Sequence, residues 1–212
     1  MSSDFNCAEI SGGVCITRYT GSAKNVTVPA EINGKPVIEI GESAFEGCEE
    51  IESVIIPDGV TKIAFSAFGG SENYSHELGD LYLDYWCKNL KTVHIPDSVT
   101  EIESNAFCFC TALESIRIPV GVKIIYGETF RECRALKSVI IPNTVQIIDE
   151  MAFDGCVSLE SIYIPDSVRK IYLGAFCNCK ALKLVSISKS LTEIEDFNFC
   201  CCHPDLEFIC RD

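Results

Sequence analysis

From Leu113 to Leu136 the chain reads L-E-S-I-R-I-P-V-G-V-K-I-I-Y-G-E-T-F-R-E-C-R-A-L. Its first seven residues alternate: Ile116 and Ile118 are apolar, with Arg117 between them. That period of two predicts a short strand with one buried face. Pro119 ends it, because proline has no N–H to give to a ladder. The same pattern recurs over Ile51–Pro57, Leu90–Pro96, Leu136–Pro142, Leu159–Pro165 and Leu182–Ser188. After the proline comes a turn, as at Asp58-Gly59, Asp97-Ser98 and Asp166-Ser167, then a Val-x-x-Ile stretch such as Val145–Ile148. The stretch is too short for a helix and predicts a second brief strand. The unit closes on Ala-Phe-x-x-Cys-x-x-Leu, as in Ala152–Leu159. That spacing predicts a single helical turn with one buried face.

The unit has a fixed length. Pro96, Pro119, Pro142 and Pro165 stand 23 residues apart, and Phe107, Phe130, Phe153, Phe176 and Phe199 keep the same step. So do Cys110, Cys133, Cys156, Cys179 and Cys202. A period in this range marks a solenoid whose units cannot bury their apolar faces alone. Parallel coils about 4.8 Å apart would make eight strand positions a slab about 35–40 Å long. The expected fold is therefore one continuous repeat solenoid. Residues 1–29 are expected to cap it at the N-terminus, as a hairpin around Gly12-Gly13 and Gly21. Residues 30–212 are expected to form the array, with an irregular C-terminal cap over 197–212 in which Cys200-Cys201-Cys202-His203-Pro204 adds one residue before Leu206 and Leu206–Cys210 is the last strand.

One break interrupts the period. Pro57 and Pro96 are 39 residues apart, and the extra residues form an insertion over 69–86. It carries Tyr74, Tyr82, Tyr85 and Trp86 among acidic residues. Two readings stand: a partner contact through aromatics of the kind enriched at hot spots, or a lengthened helix that covers neighbouring coils.

In each strand, the residue between the buried aliphatics faces outward. That row is Thr27, Ile55, His94, Arg117, Ile140, Tyr163 and Ser186, with Cys210 as its extension, and Ser53, Thr92, Ser115, Ser138, Ser161, Leu184 and Phe208 flank it. Repeat solenoids bind partners on such extended faces. The candidate partner-binding residues are thus Ile55, His94, Arg117, Ile140, Tyr163 and Ser186. Those of the insertion are the alternative.

The repeat Ile-Pro-Asp-Ser-Val-x-x-Ile-x-x-x-Ala-Phe-x-x-Cys-x-x-Leu resembles the BspA-like leucine-rich repeat, over about residues 23–210. Residues 5–29, with the turn Tyr19-Thr20-Gly21, resemble the family's opening segment. The resemblance implies a leucine-rich repeat solenoid: a right-handed α/β coil stack with one parallel sheet face, short second strands and single-turn helices. It also implies an adhesion-type role at the cell surface or in secretion, with a protein or glycan partner. The alternative is a structural or spacer module, intracellular and without its own ligand.

Charge and cysteines narrow this picture. The 212-residue chain carries 31 acids against 17 bases, a net charge of −14. A nucleic-acid partner needs the opposite sign. No run of 18 apolar residues exists, so no membrane-spanning segment is expected in this chain. The start, MSSDFNCAEI, lacks the basic and apolar regions of a secretory signal. Seven of the 14 cysteines fall in one repeat column, Cys48 and Cys87 with the five named above, which marks a packing slot for small apolar thiols. Such thiol content suits a reducing compartment, whereas the family resemblance points to the cell surface. Two further readings of Cys177, Cys179, Cys200 and Cys202 stay open: stacked disulfides between coils, whose spacing suits the usual Cα separation, and four thiolates for zinc. Zinc is disfavoured because residues i and i+2 of a helical turn diverge.

No reactive constellation is visible. His76, His94 and His203 lie far apart along the array, no Cys or Ser has a histidine base, and no phosphate-binding glycine motif occurs. The sequence therefore predicts a non-enzymatic module with no cofactor and no metal; it leaves the oligomeric state open.

Overall fold

The computed structural model describes residues 4–70, 72–74, 81–83 and 87–211. Eight strands form one face of a coil stack: Asn25–Thr27, Ser53–Ile55, Thr92–His94, Ser115–Arg117, Ser138–Ile140, Ser161–Tyr163, Leu184–Ser188 and Glu207–Arg211. Within it neighbours pair in parallel in three successive sheets, as in Ser53↔Thr92, Ser115↔Ser138 and Ser161↔Leu184, and the pairing breaks between Thr92–His94 and Ser115–Arg117 and between Ser138–Ile140 and Ser161–Tyr163. Lys35–Ile40 and six two-residue strands, from Lys62–Ile63 to Glu193–Ile194, make a second parallel face. At the N-terminus Phe5–Ile10 and Gly13–Tyr19 form an antiparallel hairpin, and its second strand joins Lys35–Ile40 in parallel.

The turn after each proline has a specific cause. The N–H of Val99, Val122, Val145 and Val168 donates to the carbonyl of the proline three residues back, at 3.1–3.2 Å. The hydroxyl of Ser98, Thr144 or Ser167 donates to a valine carbonyl of the preceding coil, at 2.7, 3.1 and 2.6 Å. Hence Asp-Ser and Asn-Thr recur there: the first residue favours the turn, and the second ties it to its neighbour.

The closing arc is not helical, which corrects the expectation of single-turn helices. Two residues with positive φ flank the phenylalanines of the later coils: Asn105 and Phe109 around Phe107, Glu128 and Glu132 around Phe130, Met151 and Gly155 around Phe153. Left-handed residues cannot continue a right-handed turn. They alternate the direction of the backbone N–H groups instead. Ala106, Cys108 and Cys110 donate within their own coil, while Asn105, Phe107 and Phe109 donate to Gly127, Thr129 and Arg131 of the next. The arc thus becomes a third hydrogen-bonded wall.

Inside the walls the repeat columns interlock. Tyr19, Phe45, Phe68, Phe107, Phe130, Phe153, Phe176 and Phe199 form a continuous ring stack, with centroids 4.5–5.6 Å apart and planes within 23° of parallel. Offset-stacked rings add to plain burial. Beside them runs the thiol column. Cys87, Cys110, Cys133, Cys156, Cys179 and Cys202 each donate Sγ–H to the phenylalanine carbonyl of the preceding coil, at 3.2–3.6 Å. The cysteine is therefore more than a small hydrophobe: it satisfies a buried acceptor that alanine would leave with one partner fewer.

Candidate interaction surface

Each of the first seven strands of the face turns one side chain outward between two that enter the core; in the last, Phe208 and Cys210 beside Ile209 are themselves exposed. Val54, Ile116, Ile162 and Val185 are buried. On the outward row Ile55, His94, Arg117, Ile140 and Tyr163 are exposed, and Ser186 is half-buried. The register runs Thr27↔Ile55↔His94 in one sheet, Arg117↔Ile140 in the next, and Tyr163↔Ser186↔Ile209 in the last. Single exposed apolar residues are ordinary, but here Ile55 is 49% exposed, Ile140 61% and Tyr163 49% along one row.

Two details differ from the sequence reading. The terminal residue of the row is Ile209, not Cys210, and Glu207 rather than Phe208 follows Leu184 in the flanking row. The ladder keeps its step of 23 through Cys200-Cys201-Cys202-His203-Pro204, so the apparent extra residue does not shift it.

Two arginine clamps hold the row, one in its middle and one near its C-terminal end. Arg117 donates twice to Asp97, at 2.8 and 3.2 Å, and this guanidinium, helped by the Val120 N–H, holds the Asp97 carboxyl below the usual aspartate range. Arg211 sits over the Tyr163 ring, 3.9 Å from its centroid. It also donates to the Tyr163 hydroxyl and the Ile164 carbonyl and pairs with Asp166 at 2.9 Å. Arg211 was missed in sequence. It stands 23 residues after Ser188, so an unshifted register would have brought it to this corner. At the flank, Lys91 and Lys24 grip Glu52, at 2.7 and 2.9 Å, and hold its carboxyl down to about 2.

The insertion is not a lengthened helix: Glu72–Tyr74 and Leu81–Leu83 pair antiparallel, with Asn73 opposite Tyr82 and Tyr74 opposite Leu81. Among the described residues these two strands pair only with each other and join neither face of the stack. Tyr85 and Trp86 lie outside the described residues, as does His76.

Among the cysteines, Cys177 and Cys200 form a disulfide between stacked coils, with Cα atoms 4.8 Å apart. The other twelve form no disulfide. Two of the four thiols considered for zinc are thus consumed. Among the described residues no group of three or more His, Cys, Asp or Glu side chains could hold a metal, and no helix is long and apolar enough to cross a membrane. Iodoacetamide at pH 8 should label Cys201 and Cys210, which are exposed, and leave Cys110, Cys133 and Cys156 unmodified. Peptide mass mapping of the native chain checks this.

The model of the BspA type leucine-rich repeat region matches residues 18–80 and 80–205, in six copies. The chain belongs to the BspA-type leucine-rich repeat family. Solved structures agree on the fold of this BspA-type protein. It is 25% identical to a leucine-rich repeat protein of T. pallidum, with a TM-score of 0.58 over 92% of this chain and 81% of that one. It is 23% identical to a leucine-rich cell surface protein of Faecalibacterium prausnitzii A2-165, with a TM-score of 0.65 over 100% of this chain and 76% of the other. Against the pneumococcal vaccine antigen PcpA the identity is 16% and the TM-score 0.53, over 92% of this chain and 65% of that one. No curated protein matches the chain. BspA-type repeats are typically interaction or surface modules, and the extended, solvent-facing row fits that kind of work.

Proposed function

We propose that the chain is a non-enzymatic interaction module that binds a protein or glycan partner through the sheet face, in an adhesion-type role. One observation carries this reading: Ile55, Ile140 and Tyr163 stand exposed on a row whose inner neighbours enter the core. A solvated sheet face has no use for three large apolar side chains at that exposure. Arg117 and His94 add donors between them, and aromatic and arginine side chains are the commonest interface anchors. The F. prausnitzii neighbour is a cell surface protein, which supports a surface location for this chain.

Purified chain is tested against extracellular-matrix proteins and arrayed glycans. A bound partner should lose roughly tenfold or more in affinity with Tyr163→Ala and with Arg117→Ala, the effect expected of hot-spot residues. Both changes lie on the surface, so thermal midpoints should move little. Unaffected binding in both variants would move the contact to the insertion, around Tyr74 and Tyr82.

A further inference from the structure

The positions two residues before each stacked phenylalanine form a second row: Ser43, Ser66, Asn105, Glu128, Met151, Gly174 and Phe197, all at positive φ. The coil at Gly174 alone carries no side chain there, and it lies between the two large apolar members, Met151 and Phe197. The result is a recess of about 260 Å³. Met151, Leu173, Gly174 and Phe197 line it on the apolar side, with Cys177, Asp154 and Asn178. A β-carbon on Gly174 would meet only Met151 Cγ at 3.6 Å and Cys177 Cβ at 3.9 Å, so the space is open to a guest.

The recess is built rather than incidental. The Cys177–Cys200 disulfide ties the coil carrying Phe197 to the coil carrying Gly174. On the polar side, Asn178 donates to the Asp154 carboxylate at 2.8 Å, and Arg131 stands 3.4 Å from its other oxygen. That wall is therefore already neutralised. Phe197 is 70% exposed, at a positive φ unusual for a bulky residue, and Leu173 is 37% exposed. Along the Leu173 side the register places Glu150 one coil back and Asp196 one coil on, both exposed. The rim thus presents acid, leucine, acid, on a chain whose net charge is −14.

We infer that this recess is a docking site for an extended segment of a partner protein that inserts one apolar side chain between two basic residues. The apolar guest is of leucine size and would cover Met151, Leu173 and Phe197. The flanking lysines or arginines would meet Glu150 and Asp196, which stand two coils, about 9–10 Å, apart. This site is separate from the sheet face and does not rest on that reading.

The probe is a blocked heptapeptide with a central lysine–leucine–lysine, titrated into the isotopically labelled full chain while amide shifts are followed. The Gly174 and Phe197 amides should move and saturate. A lysine–glycine–lysine peptide should bind roughly tenfold more weakly, because one buried leucine is worth about that factor. A glutamate–leucine–glutamate peptide should lose about fivefold, since each exposed charge pair contributes modestly. Gly174→Met fills the recess and should abolish saturation. Met151 already adopts φ 53° at the equivalent position, so the variant is compatible with the fold. Leu173→Ser, which leaves the backbone alone, should weaken binding as well, and Tyr163→Ala should change nothing. Absence of saturable shifts, shifts centred elsewhere, equal binding of the glycine peptide, or undiminished binding to Gly174→Met would each overturn the site.

Discussion

Raising the pH from 8 to 10 should cost this protein most of its stability. Cys87, Cys110, Cys133 and Cys156 are fully buried, and burial pushes all four thiols well above their ordinary pKa of 9.0. In the folded chain they therefore stay protonated at pH 10. In the unfolded chain they ionise as the pH passes 9, so the unfolded state then binds fewer protons. Stability is whole below pH 9 and falls with every step above it. One pH unit beyond the unfolded pKa costs about 1.4 kcal/mol per thiol, hence about 5–6 kcal/mol for four. That is comparable with the entire stability of a typical domain. Lysine and tyrosine ionisation also begin near pH 10, so the decisive quantity is the slope. Urea midpoints at pH 8, 9 and 10, at constant reductant, should give a steep alkaline limb in the native chain. Burial raises Cys15 and Cys48 as well, and the Cys202 thiol beside it together with burial raises Cys179. The double variant Cys133→Val, Cys156→Val should therefore lose roughly a quarter to a third of that slope, whatever its stability at pH 7. An unchanged slope would mean that the thiol column does not control alkaline unfolding.

This sensitivity follows from columns that were plain in the sequence. Phe107, Phe130 and Phe153, or Cys110, Cys133 and Cys156, repeat because every coil faces the same slot: an aromatic must stack and a small donor must reach the carbonyl below. Slots inside a close-packed core tolerate few side chains, so their occupants spell out the period. The closing arc was less legible. Its backbone needs left-handed residues on both sides of the phenylalanine. Asn105, Gly155, Gly174 and Asn178 hint at this, but Glu128, Glu132 and Met151 occupy the same conformation without any compositional sign. The wall of inter-coil hydrogen bonds overrides their preference.

The surface was legible in position and opaque in purpose. Alternation within each strand, such as Val54 beside Ile55 or Ile116 beside Arg117, tells which residues face out. It cannot tell which of them matter, because solvent places no constraint on their identity. Arg211 shows the limit: its contact with Tyr163 depends on the strand register after Pro204, where local spacing misled. The disulfide shows another: the repeat column marks Cys179 as a core position but says nothing of Cys177, and only the alternating arc sends Cys177 toward Cys200 while Cys179 donates inward to Phe153. The recess at Gly174 left a faint mark, a glycine in a column otherwise filled.

Removing one ring from the middle of the stack should be the most damaging single substitution. Phe130 is fully buried between Phe107 at 5.5 Å and Phe153 at 5.3 Å, with planes 5° and 11° from parallel. Phe130→Ala should lose about 3–5 kcal/mol through lost burial and the void left behind, a fall of roughly 10–15 °C in the thermal midpoint at this chain length. Position matters as much as magnitude. In a repeat array each coil is stabilised only by its two neighbours, so a central void weakens the coupling between the coils before and after it. The urea transition of the variant should therefore broaden or split, with a lower slope than the native chain. Phe199 stacks on Phe176 on one side only and meets Phe208 edge-on; it is also half-buried. Phe199→Ala should cost roughly half as much and fray the last coil without splitting the transition. Equal losses at the two positions, or a single sharp transition for Phe130→Ala, would show that the array folds as one indivisible unit rather than by nearest-neighbour coupling. The same coupling governs the outer surface: the ring stack sets the spacing of the coils, and with it the spacing of Arg117, Ile140 and Tyr163 that a partner would have to match.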